Sequence, residues 1–104
     1  MATETINAWA AGIVDGEGYI KRRKNRKGSK TQPYVRVDNT DLRILQKLAK
    51  NYEGSILFNI RKNRPNSKPC WYWHLCNRKC IRFLLEIESY LVSKREIAQK
   101  TIIG

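Results

Sequence analysis

The sequence predicts a mixed α+β fold, with two β-hairpins set among helices in the order α-β-β-α-β-β-α-α. Three observations predict it. Apolar residues recur at helical spacing in some stretches and alternate with polar residues in others. Gly, Pro, Asn and Asp fall between the two kinds of stretch. With 104 residues, 41% of them hydrophobic, the chain fits one domain, residues 1–104, with a core of its own.

The first helix is expected over about residues 5–15, where Ile6, Trp9, Ala10 and Ile13 recur at helical spacing. Thr3 or Thr5 can cap its start, and Gly16 and Gly18 end it. One face is unusually small, carrying Ala8, Ala11, Gly12 and then Gly16. Such a face admits another backbone closely, either the protein's own sheet or the same helix of a second copy. A strand follows over about residues 19–24, then a Lys-, Arg-, Gly- and Ser-rich loop to Pro33. The next strand, about residues 34–38, sets Val35 and Val37 on one face and Tyr34 and Arg36 on the other. A second helix starts near Thr40 and Asp41, carries Leu42, Leu45, Leu48 and Ala49 on one stripe, and stops before Gly54.

The second half repeats the arrangement. Residues 55–62 alternate, with Ile56, Phe58 and Ile60 on one face and Ser55, Leu57, Asn59 and Arg61 on the other. After a basic turn to Pro69, Trp71, Trp73 and Leu75 alternate with Tyr72 and His74. A third helix is expected over about residues 78–88, and a short last one over about 90–100.

Charge narrows the partners. The chain has 21 Lys and Arg against 9 Asp and Glu, a net charge of +12. Such a domain repels itself without an anionic partner, and nucleic acid is the first choice, an acidic membrane surface the second. The cations cluster in the two hairpins: Lys21, Arg22, Arg23, Lys24, Arg26, Lys27 and Lys30 in one, Arg61, Lys62, Arg64 and Lys68 in the other. Tyr19, Tyr34, Tyr72 and His74 lie among them, where they can stack or hydrogen-bond. Lys suits phosphates, while Arg and Asn suit guanine and adenine edges in the major groove. The expected nucleic-acid-binding residues are Tyr19, Lys21, Arg23, Lys24, Arg26, Tyr34, Arg36, Asn59, Arg61, Lys62, Tyr72 and His74. Composition alone does not choose between DNA and RNA.

The longest apolar run, Ala8 to Val14, is too short to span a bilayer, and the Met-Ala-Thr-Glu start has neither a basic nor an apolar leader region. No membrane and an intracellular location are expected. Cys70, Cys76 and Cys80 are odd in number and bunched, which suits reduced thiols better than a disulfide framework. Their spacing around His74 fits no common zinc pattern.

The segment Ala10-Ala11-Gly12-Ile13-Val14-Asp15-Gly16-Glu17-Gly18-Tyr19-Ile20 resembles the LAGLIDADG motif of homing endonucleases. The small-residue face, the two acids two residues apart and the closing Gly match. The family's first Leu is Ala10 here, and its second acid is Glu17 rather than Asp. Val37-Asp38-Asn39-Thr40-Asp41-Leu42 resembles the family's middle segment, and Tyr90-Leu91-Val92-Ser93-Lys94-Arg95 its C-terminal segment with the catalytic-pocket lysine. The resemblance implies an α-β-β-α-β-β-α homing-endonuclease fold with a curved antiparallel sheet, laid into the major groove. A single motif implies a homodimer, its interface formed by Ala8, Ala11, Gly12 and Asp15, with Asp15 more structural than metal-binding. It implies cleavage of both strands of a long, nearly palindromic double-stranded DNA site.

Apart from the family, Glu17 just past the end of the first helix adds a carboxylate to exposed carbonyls that already carry partial negative charge. Two such helices at a two-fold axis bring two Glu17 carboxylates together, which a divalent cation relieves. Hard oxygen donors suit Mg2+ or another divalent cation. Glu17 and the Gly16 carbonyl are the expected metal ligands, the latter by resemblance. Glu17, Lys94, Asn39 and Arg43 are the expected catalytic residues: the resemblance implies Asn39 as a polar group ordering water, against a plain turn residue; Arg43 points toward the phosphate or covers its helix; and the resemblance implies Lys94 stabilising charge on the phosphate or acting on the nucleophilic water, against a merely solvated lysine. The competing readings are a LAGLIDADG scaffold without cleavage, acting as an RNA maturase or DNA-binding regulator, and an unrelated basic protein such as a ribosomal component. The last has no account of the Asp15-Gly16-Glu17-Gly18 turn.

Overall fold

The computed structural model describes residues 2–24, 28, 30–59 and 69–104. Four helices and a four-stranded antiparallel sheet follow one another as α1 (Glu4–Glu17), β1 (Gly18–Lys24), β2 (Thr31–Asn39), α2 (Leu42–Tyr52), β3 (Ser55–Asn59), β4 (Cys70–Cys76), α3 (Asn77–Ile87) and α4 (Arg95–Ile103). A short 3-10 turn, Glu88–Tyr90, sits between α3 and α4. The strands lie in the order β1-β2-β4-β3. The expected α+β order is therefore the one observed.

Thr3 caps α1 by accepting from the Ile6 N–H at 3.2 Å. The helix runs through Gly16 and ends at Glu17, where the Gly18 N–H still reaches the Val14 carbonyl. Glu17 thus sits in the last turn rather than beyond it. Gly18 is where helix turns into strand, paired with Val37 of β2. A Cβ there would meet the Val14 Cα at 3.1 Å and the Arg36 carbonyl at 3.2 Å, tighter than an ordinary contact, so glycine is the residue that fits without moving those backbones.

Alternation decides the two faces of the sheet. Ile20, Val35, Val37, Trp73 and Leu75 point to the helices and join Ala10, Ala11, Val14, Leu45, Leu48, Phe83, Leu84 and Ile87 in one core. Full burial of a Leu such as Leu45 or Leu48 contributes about 1.5–3 kcal/mol. The indole N–H of the fully buried Trp73 donates to the Glu53 carbonyl at 2.7 Å, tying the end of α2 to β4. Gly54 beside it has φ 96°, and a Cβ would fall 2.5 Å from the Trp73 Nε1. Tyr52 donates its hydroxyl to Asn7 Oδ1 at 2.7 Å inside the core.

Two boundaries and the burial of one side chain differ from expectation. β2 begins at Thr31, three residues early, and takes Pro33 into the strand. Pairing with β4 starts only at Tyr34, so Pro33 lies where β2 has one neighbour and a missing N–H is tolerated. α4 begins at Arg95 instead of near Tyr90, because residues 92–94 are bound to Asp15 of α1. Phe58, expected toward the core, is 54% exposed on the edge strand, where its ring meets Trp71 edge-on at 5.8 Å.

Candidate nucleic-acid interface and carboxylate site

The sheet face away from the helices carries a strip of rings. Tyr19 and Tyr34 lie 6.0 Å apart, Tyr34 and His74 5.7 Å, and His74 and Tyr72 5.6 Å. Cations lie over the strip: the Arg23 guanidinium at 3.9 Å from the Tyr34 ring, Arg36 at 3.7 Å from Tyr72, and Lys21 at 5.4 Å from Tyr19. Such a cation–ring contact restrains the guanidinium, with about 0.5–2 kcal/mol behind it. Tyr34 is buried beneath this layer, and burial pushes its phenol above the ordinary value. His74 is shifted the other way, by burial first and then by the charges of Arg23 and Arg36. Its buried Nδ1 has no hydrogen-bond partner.

Arg36 is also held from the side. Its Nε donates to Asp38 Oδ1 at 2.7 Å and its Nη2 to Oδ2 at 3.0 Å. Asn59 of β3 donates to the same Asp38 at 3.2 Å. The Asp38 bonds raise the Arg36 pKa still further. Asp38, which holds Arg36, is missed by charge counting; alternation would have found it, since residues 36 and 38 share a strand face.

The expected binding residues do not all gather. Tyr19, Lys21, Arg23, Tyr34, Arg36, Asn59, Tyr72 and His74 share the outer face. Lys24 does not: it has the parity of Ile20 and Arg22, toward the helix side. Arg22, on that side, donates to the Thr101 carbonyl of α4 at 2.8 and 3.0 Å. Arg26, Arg61 and Lys62 lie outside the described residues.

The Glu17 carboxylate is exposed at the foot of this face, two residues before Tyr19. Asn39, at the end of β2, donates its side-chain amide to Glu17 Oε2. The Asn39 side-chain oxygen Oδ1 accepts from the Asp41 N–H at 2.8 Å, and Asp41 caps α2 by accepting from the Arg43 N–H at 3.0 Å. Glu17 is therefore anchored to the start of α2. Arg43 instead folds back on Asp41 at 3.0 Å with its side chain 88% exposed, so its guanidinium meets its own cap.

Asp15 faces the opposite way. Its carboxylate accepts from the Val92 N–H at 2.8 Å, the Ser93 hydroxyl at 3.0 Å and the Lys94 N–H at 3.0 Å. Desolvation works to raise its pKa, but these bonds and the Lys94 charge together leave it below the ordinary value. Lys94 is not a solvated helix lysine. It precedes α4, and its Nζ donates to the Asp15 carbonyl at 2.6 Å.

The small-residue face divides. Ala11 is fully buried in the protomer's own core, which corrects its expected place in an interface between copies. Ala8, Gly12 and Gly16 face outward, with Asp15 half-buried beside them. A Cβ added at Gly12 or Gly16 would meet nothing within 4 Å.

As a metal site, one protomer is chemically suitable and numerically short. Glu17 and the Gly16 carbonyl offer the oxygen donors that Mg2+ takes. Among the described residues, no three His, Cys, Asp or Glu side chains gather to hold a cation.

No family sequence model matches the chain, and neither does any curated protein sequence. Solved structures do. The homing endonuclease I-CvuI, in complex with its target in the presence of Ca, superposes with a TM-score of 0.78 at 19% identity, over 96% of this chain and 65% of that one. The chain has the LAGLIDADG homing-endonuclease fold. The meganuclease I-SmaMI bound to uncleavable DNA shares the homing-endonuclease fold with a TM-score of 0.71 at 20% identity, over 91% of this chain and 34% of that one. The archaeal intron-encoded homing endonuclease I-Vdi141I, complexed with DNA, gives 0.63 at 19%, over 97% and 71%. The chain thus spans about two thirds of I-CvuI and about one third of I-SmaMI.

Proposed function

We propose that the chain belongs to the LAGLIDADG homing endonucleases and cuts double-stranded DNA at a specific site as a homodimer. One observation carries this reading most. The exposed Glu17 carboxylate, held by Asn39, lies where an open small-residue helix face meets a sheet face covered by stacked cations.

Each group then has a task. The outer face lies along one half-site in the major groove, Lys21 meeting phosphate and the ring-held Arg23 and Arg36 meeting base edges. Two α1 helices pack through Ala8, Gly12 and Gly16, which brings two Glu17 side chains to the axis. Glu17 and the Gly16 carbonyl from each protomer would hold a divalent cation, Mg2+ for preference. The bound cation supplies a Lewis acid at the scissile phosphate and lowers the pKa of a water. Asn39 keeps the Glu17 carboxylate aimed and, through its link to Asp41, keeps the end of α1 in register with α2. That neighbouring solved structures hold DNA supports this reading.

The test is Glu17→Gln on duplex sites selected from random DNA by the wild-type protein. The variant is expected to bind these sites as the wild type does and to cut at least about 100-fold more slowly with Mg2+. Cutting at the wild-type rate refutes the assignment. Specific binding without any cutting by the wild type supports a DNA-binding regulator instead.

A further inference from the structure

α1 ends without a basic residue in its last turn, and with an acidic one, Glu17, where the helix dipole is negative. The compensating cation comes from across the fold. Lys94 Nζ sits 2.6 Å from the Asp15 carbonyl, one of the carbonyls that the end of a helix leaves without an internal partner. In return, the Asp15 carboxylate binds the Val92 and Lys94 N–H groups and the Ser93 hydroxyl, just before α4. The contact is reciprocal: a cation at the C-terminus of α1, and an anion at the N-terminus of α4. Each charge lies at the helix end that favours it. Glu17 follows Asp15 by two residues, so whatever fixes the Asp15 backbone fixes the last turn that carries Glu17.

We propose that Lys94 and Asp15 form a two-way clamp between α1 and α4, and that Lys94 serves the reaction as a positioning residue that keeps Glu17 in place. This rests on the reading of Glu17 as the metal-holding carboxylate. The geometry departs from a lysine aimed at phosphate or water, because the ammonium is already bonded to the backbone of α1.

The two roles give opposite signs in one experiment. A lysine acting only by its charge beside a cation site repels the cation, so removing it tightens binding. A positioning lysine does the reverse. Mn2+ binding to the DNA-free protein is followed by water-proton relaxation for wild type, Lys94→Met and Lys94→Arg. Lys94→Met is expected to weaken Mn2+ about tenfold, the size of effect seen when a group that orients a metal ligand is lost. Lys94→Arg, which keeps the charge and the donor, is expected to recover most of the loss. Hydrogen exchange of the Gly18 amide, bonded to the Val14 carbonyl, reads the clamp without any metal. It is expected to speed up about tenfold in Lys94→Met as the last turn frays. Mn2+ binding that is unchanged or tighter in Lys94→Met overturns the positioning role, and unchanged Gly18 exchange overturns the clamp. A wild type that takes up no Mn2+ overturns the Glu17 reading, while Gly18 exchange still decides the clamp.

Discussion

Asn39 donates its side-chain amide to the carboxylate of Glu17, and its side-chain oxygen is held by the Asp41 N–H at the start of α2. The bond joins the end of the first helix to the end of the second strand, 22 residues apart. It turns an exposed glutamate, which otherwise samples several rotamers, into a fixed one.

Replacing Asn39 with Ala removes that restraint and leaves Glu17 in place. Cleavage is expected to slow about 10–100-fold, the usual effect of losing a group that orients a ligand, with DNA affinity within about twofold. Single-turnover cleavage beside an equilibrium binding curve checks this. An equal loss of both would place Asn39 in DNA binding instead.

Gly18 and Gly12 lie in one motif and should respond oppositely to alanine. At Gly18 a Cβ would lie 3.1–3.2 Å from the Val14 and Arg36 backbones, which would have to give by a few tenths of an ångström. Gly18→Ala is expected to lower stability by about 1–3 kcal/mol, as overpacking does. At Gly12 the Cβ enters open space, and Gly12→Ala is expected to gain up to about 1 kcal/mol of helix stability in an isolated protomer. Denaturant unfolding at protein concentrations low enough to keep protomers apart distinguishes the two.

His74 makes stability depend on pH. Its folded pKa lies below the ordinary 6.5, because burial and the Arg23 and Arg36 charges oppose a proton there. The neutral form is therefore the one the fold favours. Stability is full above pH 6.5 and declines as pH falls from there through the folded value. His74 is the only histidine in the chain, so His74→Gln is expected to flatten the melting temperature between about pH 7 and 5.5. A slope that survives the substitution would assign it to other groups.

Much of the fold is legible in the sequence because its signals are local. Period-2 stretches give the strands, and the Leu42, Leu45 and Leu48 stripe gives α2. Two boundaries are not, since they depend on distant partners. Pro33 is admitted to β2 only because β4 stops short of it. The start of α4 is delayed by Asp15, which reaches Val92 across 77 residues. The site divides in the same way. Glu17, the outward Gly12 and Gly16, and the ringed cationic face follow from motif and alternation. That Ala11 turns inward, that Arg43 closes on Asp41, and that Lys94 binds a helix carbonyl are facts of packing, and no spacing rule contains them.

The central claim is that pairing through the open face of α1 sets two Glu17 side chains side by side. Sedimentation of the wild type and of Gly12→Leu tests it most directly. A Cβ at position 12 meets nothing within 4 Å in one protomer and leucine has a better helix propensity than glycine, so the substitution is expected to spare the fold and to block a partner's backbone. The wild type is expected to sediment at twice the 12.2 kDa of one chain, and Gly12→Leu at 12.2 kDa with an unchanged far-ultraviolet circular dichroism spectrum. A wild type that sediments as a single chain, or a Gly12→Leu variant that still pairs, would contradict the account.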